Sequence, residues 1–202
     1  MINIGAAAAD LFRWLYLNKN GGVYFDIDIV CKYPISNFIN TTDDIIVLSR
    51  QQAVRYTINH AFIATVKYTS LFTTSISNAI NNILYLYETK QNMKAPQDVC
   101  GPRVLGATLN ILLNKPIHSN ETIKLILLGK YKLRFIDKKK LWKYIIIKYD
   151  KYMDDCMKYN MTHWKTLVDT NNYAFDYKYA NKYITENQII LNYKLYHKKL
   201  IN

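Results

Sequence analysis

Two glycines followed by a short apolar run that ends in two carboxylates, Gly21-Gly22-Val23-Tyr24-Phe25-Asp26-Ile27-Asp28, constrain this chain more than any other stretch. Paired glycines stop a helix and turn the backbone sharply. The residues after them, Val23 to Ile27, read as a buried strand. Side chains two apart on an extended segment share a face, so Asp26 and Asp28 are expected to point the same way. Like charges that close repel, and burying them is costly unless a cation or a proton compensates. The ordinary alternative is a strand end that runs into a solvated loop, and the pair alone does not separate the two readings.

The neighbouring residues narrow the choice. Residues 6–20, alanine-rich with Leu11, Phe12, Trp14 and Leu15, predict a helix that the glycines terminate. Asp10 and Arg13, three apart, lie on one face of it; by itself this spacing describes a surface ion pair worth a few tenths of a kcal/mol. Further strands are expected over 44–50, 60–66 and 123–128, and helices over 69–90 and about 103–114. Residues 138–160 fit helix or strand equally, and 173–202 read as polar, Tyr-rich and partly helical. Helices interleaved with short apolar strands indicate an α/β domain.

Composition sets the outer bounds. A chain of 202 residues, half of them hydrophobic, suits one folded domain and excludes a disordered tail. The net charge of +12 is uneven: residues 1–120 carry 10 Lys/Arg against 7 Asp/Glu, and residues 121–202 carry 17 against 8. A basic, Tyr-rich segment of that kind suits a phosphate backbone or an anionic membrane face, or is simply a solvated lysine surface. Cys31, Cys100 and Cys156 lie far apart without metal-ligand spacing, which argues against structural zinc and a disulfide framework and favours a reducing compartment. No run approaches the roughly 18 apolar residues that span a bilayer, and the N-terminus lacks signal-peptide character. The expectation is a soluble or peripheral chain, cytoplasmic as it stands.

The stretch AAAADLFRWLYLNKNGGVYFDIDIVCKYPI resembles the signature of the DXD-containing sugar transferases, the family of the outer-chain mannosyltransferases, whose core is shared by the clostridial glucosylating toxins. The resemblance implies a GT-A-type α/β fold over residues 1–165, with 166–202 a basic extension. It implies a nucleotide-sugar donor, UDP- or GDP-hexose, and Mn2+ or Mg2+ bound by hard oxygen ligands. Asp28 would bind the metal directly and Asp26 would reach the metal or its water and the ribose, making the pair the catalytic centre. Asp10 and Arg13 would hold the donor sugar, and Tyr24 would shape the turn. Asn59, in TINHAFIATVKYTSLF, would face the sugar or acceptor, and Gly101 and Pro102, in VCGPRVLGATLN, would lie close to the donor. His163, in MTHWKTL, falls where the family often places a histidine and is a candidate third metal ligand, although a lone histidine is as readily a core or surface residue. His60, His118 and His197 show no partner pattern.

In that family a base-binding strand precedes the Asp-x-x-Arg helix, whereas here the signature begins almost at Met1. The expectation is an N-terminally truncated relative: a protein that starts upstream, a split gene product, or a chain whose partner supplies the missing part. Three functions follow. The first is a metal-dependent, retaining transfer of a hexose to a glycan, lipid or protein acceptor, with no nucleic acid involved. The second is an inactive transferase fragment with a structural role, and the third a basic module that binds nucleic acid or an anionic membrane surface.

Overall fold

The computed structural model describes residues 5–37, 39, 44–48, 56–90, 96–119, 125–136, 146–148 and 151–159. Helix α1 spans Gly5–Asn20. Gly21 closes it, with its N–H donating to the Leu17 carbonyl at 2.7 Å. At φ +67° Gly21 occupies the left-handed region, and a side chain there would also press on the backbone of Thr65 and Lys67. Strands β1 (Gly22–Phe25) and β2 (Ile29–Cys31) follow, then a single 3-10 turn over Ile35–Asn37, β3 (Ile45–Leu48) and β4 (Phe62–Thr65). Helices α2 (Ser70–Thr89), α3 (Pro96–Val99) and α4 (Pro102–Leu112) lead to β5 (Leu125–Leu128), β6 (Tyr131–Ile136), β7 (Ile146–Lys148) and helix α5 (Tyr152–Lys158).

Five strands form one sheet in the order β1-β4-β3-β6-β5; β3 and β6 run parallel and the other pairs antiparallel. β2 and β7 form a separate antiparallel ribbon. Helices and strands interleave as expected, and the architecture is α/β. β4, which has neighbours on both sides, is buried at all four positions. Its residues divide between two clusters: Ile63 joins the main core with Trp14 and Leu17 of α1, Leu71 and Phe72 of α2, and Leu105 and Leu109 of α4. Phe62 and Ala64 turn to the opposite face and pack with Ile29 of β2. Alternation along one short strand thus binds the helices to one face of the sheet and the ribbon to the other.

Local chemistry sets the helix limits. Thr69, extended at φ −79° and ψ 143°, caps α2 through its side chain, and Lys90 ends the helix in the left-handed region. Pro102 opens α4 behind Gly101. Gly106 is required by packing, because a Cβ there would fall 1.6 Å from the Tyr56 carbonyl oxygen. That contact and the bond from Ile58 N–H to the Pro102 carbonyl, 3.1 Å, seat α4 against the segment that enters β4.

Two expectations about the DXD stretch change. β1 ends at Phe25, not Ile27, and as an edge strand among the described residues it leaves Val23 and Phe25 more than a third exposed. The strand stops because the Asp26 carbonyl accepts from Ile29 N–H at 3.0 Å, which folds Asp26–Ile29 into a turn. Strand alternation therefore does not govern where Asp26 and Asp28 point. β2 and β6 have no counterpart in the elements expected from the sequence. Residues 138–160 resolve into both alternatives, β7 and α5. His163, the extension 166–202 and the helix expected within 173–202 lie outside the described residues. Among the described residues no helix is long and apolar enough to cross a membrane.

Candidate active site

The site forms where α1, the end of β1 and the residues leading into β4 meet. Asp26 N–H donates to the Ala61 carbonyl at 2.9 Å, which continues the β1–β4 ladder by one rung and holds the Asp26 backbone beside His60 and Ala61. From α1, Arg13 reaches across to this rung. Its Nη1 donates to Asp26 Oδ1 at 2.9 Å and to the His60 carbonyl at 3.0 Å, and its Nη2 donates to Asp10 Oδ1 at 3.0 Å. The guanidinium lies over the Tyr24 ring, 4.4 Å from its centroid, and the Tyr24 hydroxyl donates to Asp26 Oδ1 at 2.9 Å. Asp10, Arg13, Tyr24 and Asp26 are therefore one clamp in which a single cation bridges two carboxylates.

The Asp10–Arg13 pair is not the surface ion pair that its spacing alone describes, because the residues are only 7% and 6% exposed. In such a site removal of either partner strands the other, so the geometry is rigid. Burial pushes the Tyr24 phenol well above its ordinary range, with Arg13 opposing and the Asp26 carboxylate adding to the rise. The phenol thus stays protonated and remains a donor to Asp26. Three N–H groups of Arg13 are committed to Asp10, Asp26 and His60, while the second oxygens of Asp10 and Asp26, Oδ2 in each, make no hydrogen bond among the described residues. These two carboxylate oxygens, more than the guanidinium, are the groups left to meet a ligand.

His60, without a partner pattern in the sequence, belongs to the clamp. Its Nε2 lies 3.1 Å from Asp10 Oδ1, and its ring meets the Trp14 indole edge to face at 6.0 Å. No local signal reveals this, since the segment leading into β4 meets α1 only in the fold; Arg13, which donates to the His60 carbonyl, lies 47 residues earlier in the chain. Gly101 borders the clamp from the opposite side. A Cβ there would lie 3.0 Å from Asp10 Oδ2 and 2.5 Å from the Gln97 Cα, so glycine alone lets α3, α4 and α1 approach this closely. Pro102 follows as the first residue of α4. Asn59 turns back on its own loop, where its side-chain oxygen accepts from Ala61 N–H at 2.9 Å. Asp28 sits half-buried in the turn after Asp26.

The donor set suits a hard divalent cation: Asp26, its side chain a third exposed, keeps one oxygen without a hydrogen bond among the described residues, and Asp28 lies two residues on in the same turn. Among the described residues no three His, Cys, Asp or Glu side chains cluster. A cation held by the two aspartates would therefore complete its shell with water or with oxygens of a ligand, as Mg2+ and Mn2+ do in phosphate-binding sites.

Comparison with known proteins agrees with the motif. Residues 1–46 match the family model of the glycosyltransferase sugar-binding region containing the DXD motif. The match takes in Asp10, Arg13, Tyr24, Asp26 and Asp28 together, and the resemblance read from the sequence is borne out for this stretch. No curated protein matches the chain. Among solved structures the chain is similar to PaToxG glycosyltransferase, at 23% identity and a TM-score of 0.43 over 54% of this chain. The chain spans 36% of the length of that protein.

Proposed function

We propose, with residues 1–46 taken as the DXD-bearing sugar-binding region of a glycosyltransferase, that this chain binds a nucleotide-sugar with the help of a divalent metal and transfers its hexose to a glycan, lipid or protein acceptor, with retention of configuration. The observation that carries the reading is the clamp itself. Asp10, Tyr24 and Asp26 converge on the buried guanidinium of Arg13 and leave the Oδ2 atoms of Asp10 and Asp26 without a hydrogen bond among the described residues. Burying Asp10 beside an arginine that also reaches Asp26 is an expensive arrangement for stability alone. It is well suited to a ligand that presents hydroxyls to one carboxylate and a metal-bound diphosphate to the other.

In this reading Asp26 and Asp28 hold Mn2+ or Mg2+, which when bound neutralises the charge of the departing nucleoside diphosphate. Asp10 accepts from hydroxyls of the donor sugar through Oδ2. Arg13 keeps Asp10 and Asp26 correctly turned, and Tyr24 holds Asp26 Oδ1 so that the other oxygen faces the metal. The main core behind α1 keeps these groups from shifting when the ligand leaves. Such preorganisation is the largest contribution a protein makes to a reaction that develops charge.

The experiment is calorimetric titration of UDP, GDP and their sugars into the full chain, with and without Mn2+. The expected result is binding that requires Mn2+ and names the nucleotide, together with its loss in Asp28→Ala. Metal-independent binding, or an Asp28→Ala variant that binds like the wild type, would remove the metal from the site; no binding by a well-folded chain would remove the donor.

A further inference from the structure

We infer that His60 is a positioning residue of the donor-sugar clamp, an inference that rests on the donor reading just given. Three observations converge on it. His60 is 6% exposed, and its ring nitrogen Nε2 lies 3.1 Å from Asp10 Oδ1, the oxygen that also accepts from Arg13 Nη2. A carboxylate oxygen is an acceptor only, so Nε2 carries a hydrogen and donates. The carbonyl of the same residue accepts from Arg13 Nη1 at 3.0 Å. One residue thus grips both members of the α1 pair, the carboxylate with its ring and the guanidinium with its backbone.

The consequence reaches both ends of the clamp. With Oδ1 of Asp10 held by His60 and Arg13, the free oxygen of that carboxylate has one orientation, and this is the oxygen assigned to the sugar hydroxyls. With Nη1 of Arg13 held by the His60 carbonyl, its second hydrogen is directed at Asp26 Oδ1. The ring itself is fixed from behind. The Trp14 indole stands edge-on to it, and both His60 Nδ1 and Trp14 Nε1 are fully buried without a hydrogen-bond partner among the described residues. Two unpaired polar atoms in a wall of the main core are costly. Their retention next to Asp10 agrees with a ring kept for what Nε2 does, since an apolar side chain would fill the same space at less cost.

Two substitutions test this. His60→Leu removes the donor with little change in volume, and His60→Gln restores an N–H at about the reach of Nε2. In the presence of Mn2+, the affinity for the nucleotide-sugar is measured against that for the same nucleoside diphosphate without its sugar. A purely structural role would weaken both ligands together. The positioning role predicts that His60→Leu loses about tenfold for the nucleotide-sugar relative to the diphosphate, the size expected for one charge-assisted hydrogen bond, and that His60→Gln recovers most of it. An unchanged ratio in His60→Leu, or no recovery in His60→Gln, would overturn the inference. A long-range 1H–15N spectrum of the histidine rings, assigned with His60→Gln, needs no ligand. Nε2 of His60 should carry a proton, and an unprotonated Nε2 would equally overturn it. If the wild-type chain binds no nucleotide-sugar, the donor reading falls, while the ring spectrum still decides whether His60 holds Asp10.

Discussion

Replacing Arg13 by Met keeps an unbranched stem of similar length and removes only the guanidinium. What is lost can be counted from the structure: the bonds to Asp10 at 3.0 Å, to Asp26 at 2.9 Å and to the His60 carbonyl at 3.0 Å, a longer one from Nε to the Ala9 carbonyl at 3.4 Å, and the contact with the Tyr24 ring. The Asp10 side chain is 10% exposed and that of Asp26 33% exposed, so the two halves of the clamp do not weigh equally. Water can replace the arginine at Asp26, where the loss is at most about 1 kcal/mol. Asp10 has no such recourse, and breaking a buried pair on one side costs about 3–5 kcal/mol. The expected destabilisation of Arg13→Met is therefore about 4 kcal/mol, a large share of the roughly 5–15 kcal/mol that holds a typical domain together. Urea unfolding measures it as a lower midpoint at unchanged slope. A second variant isolates the cause. Adding Asp10→Asn to Arg13→Met should recover about 1–2 kcal/mol, because a neutral amide is cheaper to bury than an unpaired carboxylate. A loss below about 1 kcal/mol for the single variant, or a double variant less stable than the single one, would refute the argument that one cation neutralises a buried carboxylate here.

Two further outcomes follow from packing and burial. Gly106→Ala should destabilise the fold by about 3 kcal/mol or more, seen in urea or thermal unfolding, since its Cβ would fall 1.6 Å from a backbone carbonyl that no rotamer change can move. Burial pushes the Cys100 thiol well above its ordinary range, with Asp10 adding to the rise and Arg13 opposing it. Folded Cys100 thus keeps a proton that the unfolded chain releases near pH ~8.5. The stability that Cys100 contributes relative to Cys100→Ala should be constant below that pH and diminish as the pH rises beyond it. An increase on the alkaline side would contradict the assignment.

Helices α1, α2 and α4 are legible in the sequence because each is specified within its own turns, whereas α3 is not anticipated and α5 lies in a stretch that fits helix or strand equally. Alanines and an apolar face run to Gly21 in α1, and Thr69 and an apolar spacing of three and four define α2. β3 and β4 show for a similar reason, as short apolar runs, and β4 is buried at every position. β6 does not, because YKLRFI carries Lys132 and Arg134 and becomes a strand only by pairing with β3 on one side and β5 on the other. The end of β1 is equally out of reach of local reading: Phe25-Asp26-Ile27 alternates like a strand, but the Asp26–Ile29 turn, which launches β2 onto the other face of the sheet, takes the backbone out of line.

The same division runs through the site. Asp10, Arg13, Tyr24, Asp26 and Asp28 lie within 19 consecutive residues, so the family resemblance that implies sugar and metal chemistry is carried by one short stretch of sequence. That Arg13 is buried, that it bridges both aspartates, and that His60 and Gly101 border the clamp depend on contacts between segments remote in the chain. Spacing along a chain determines which groups are present and which share a face of one element. How many of their hydrogen-bonding positions remain free for a ligand is decided by desolvation and by partners that only the packed sheet and helices bring within 3 Å.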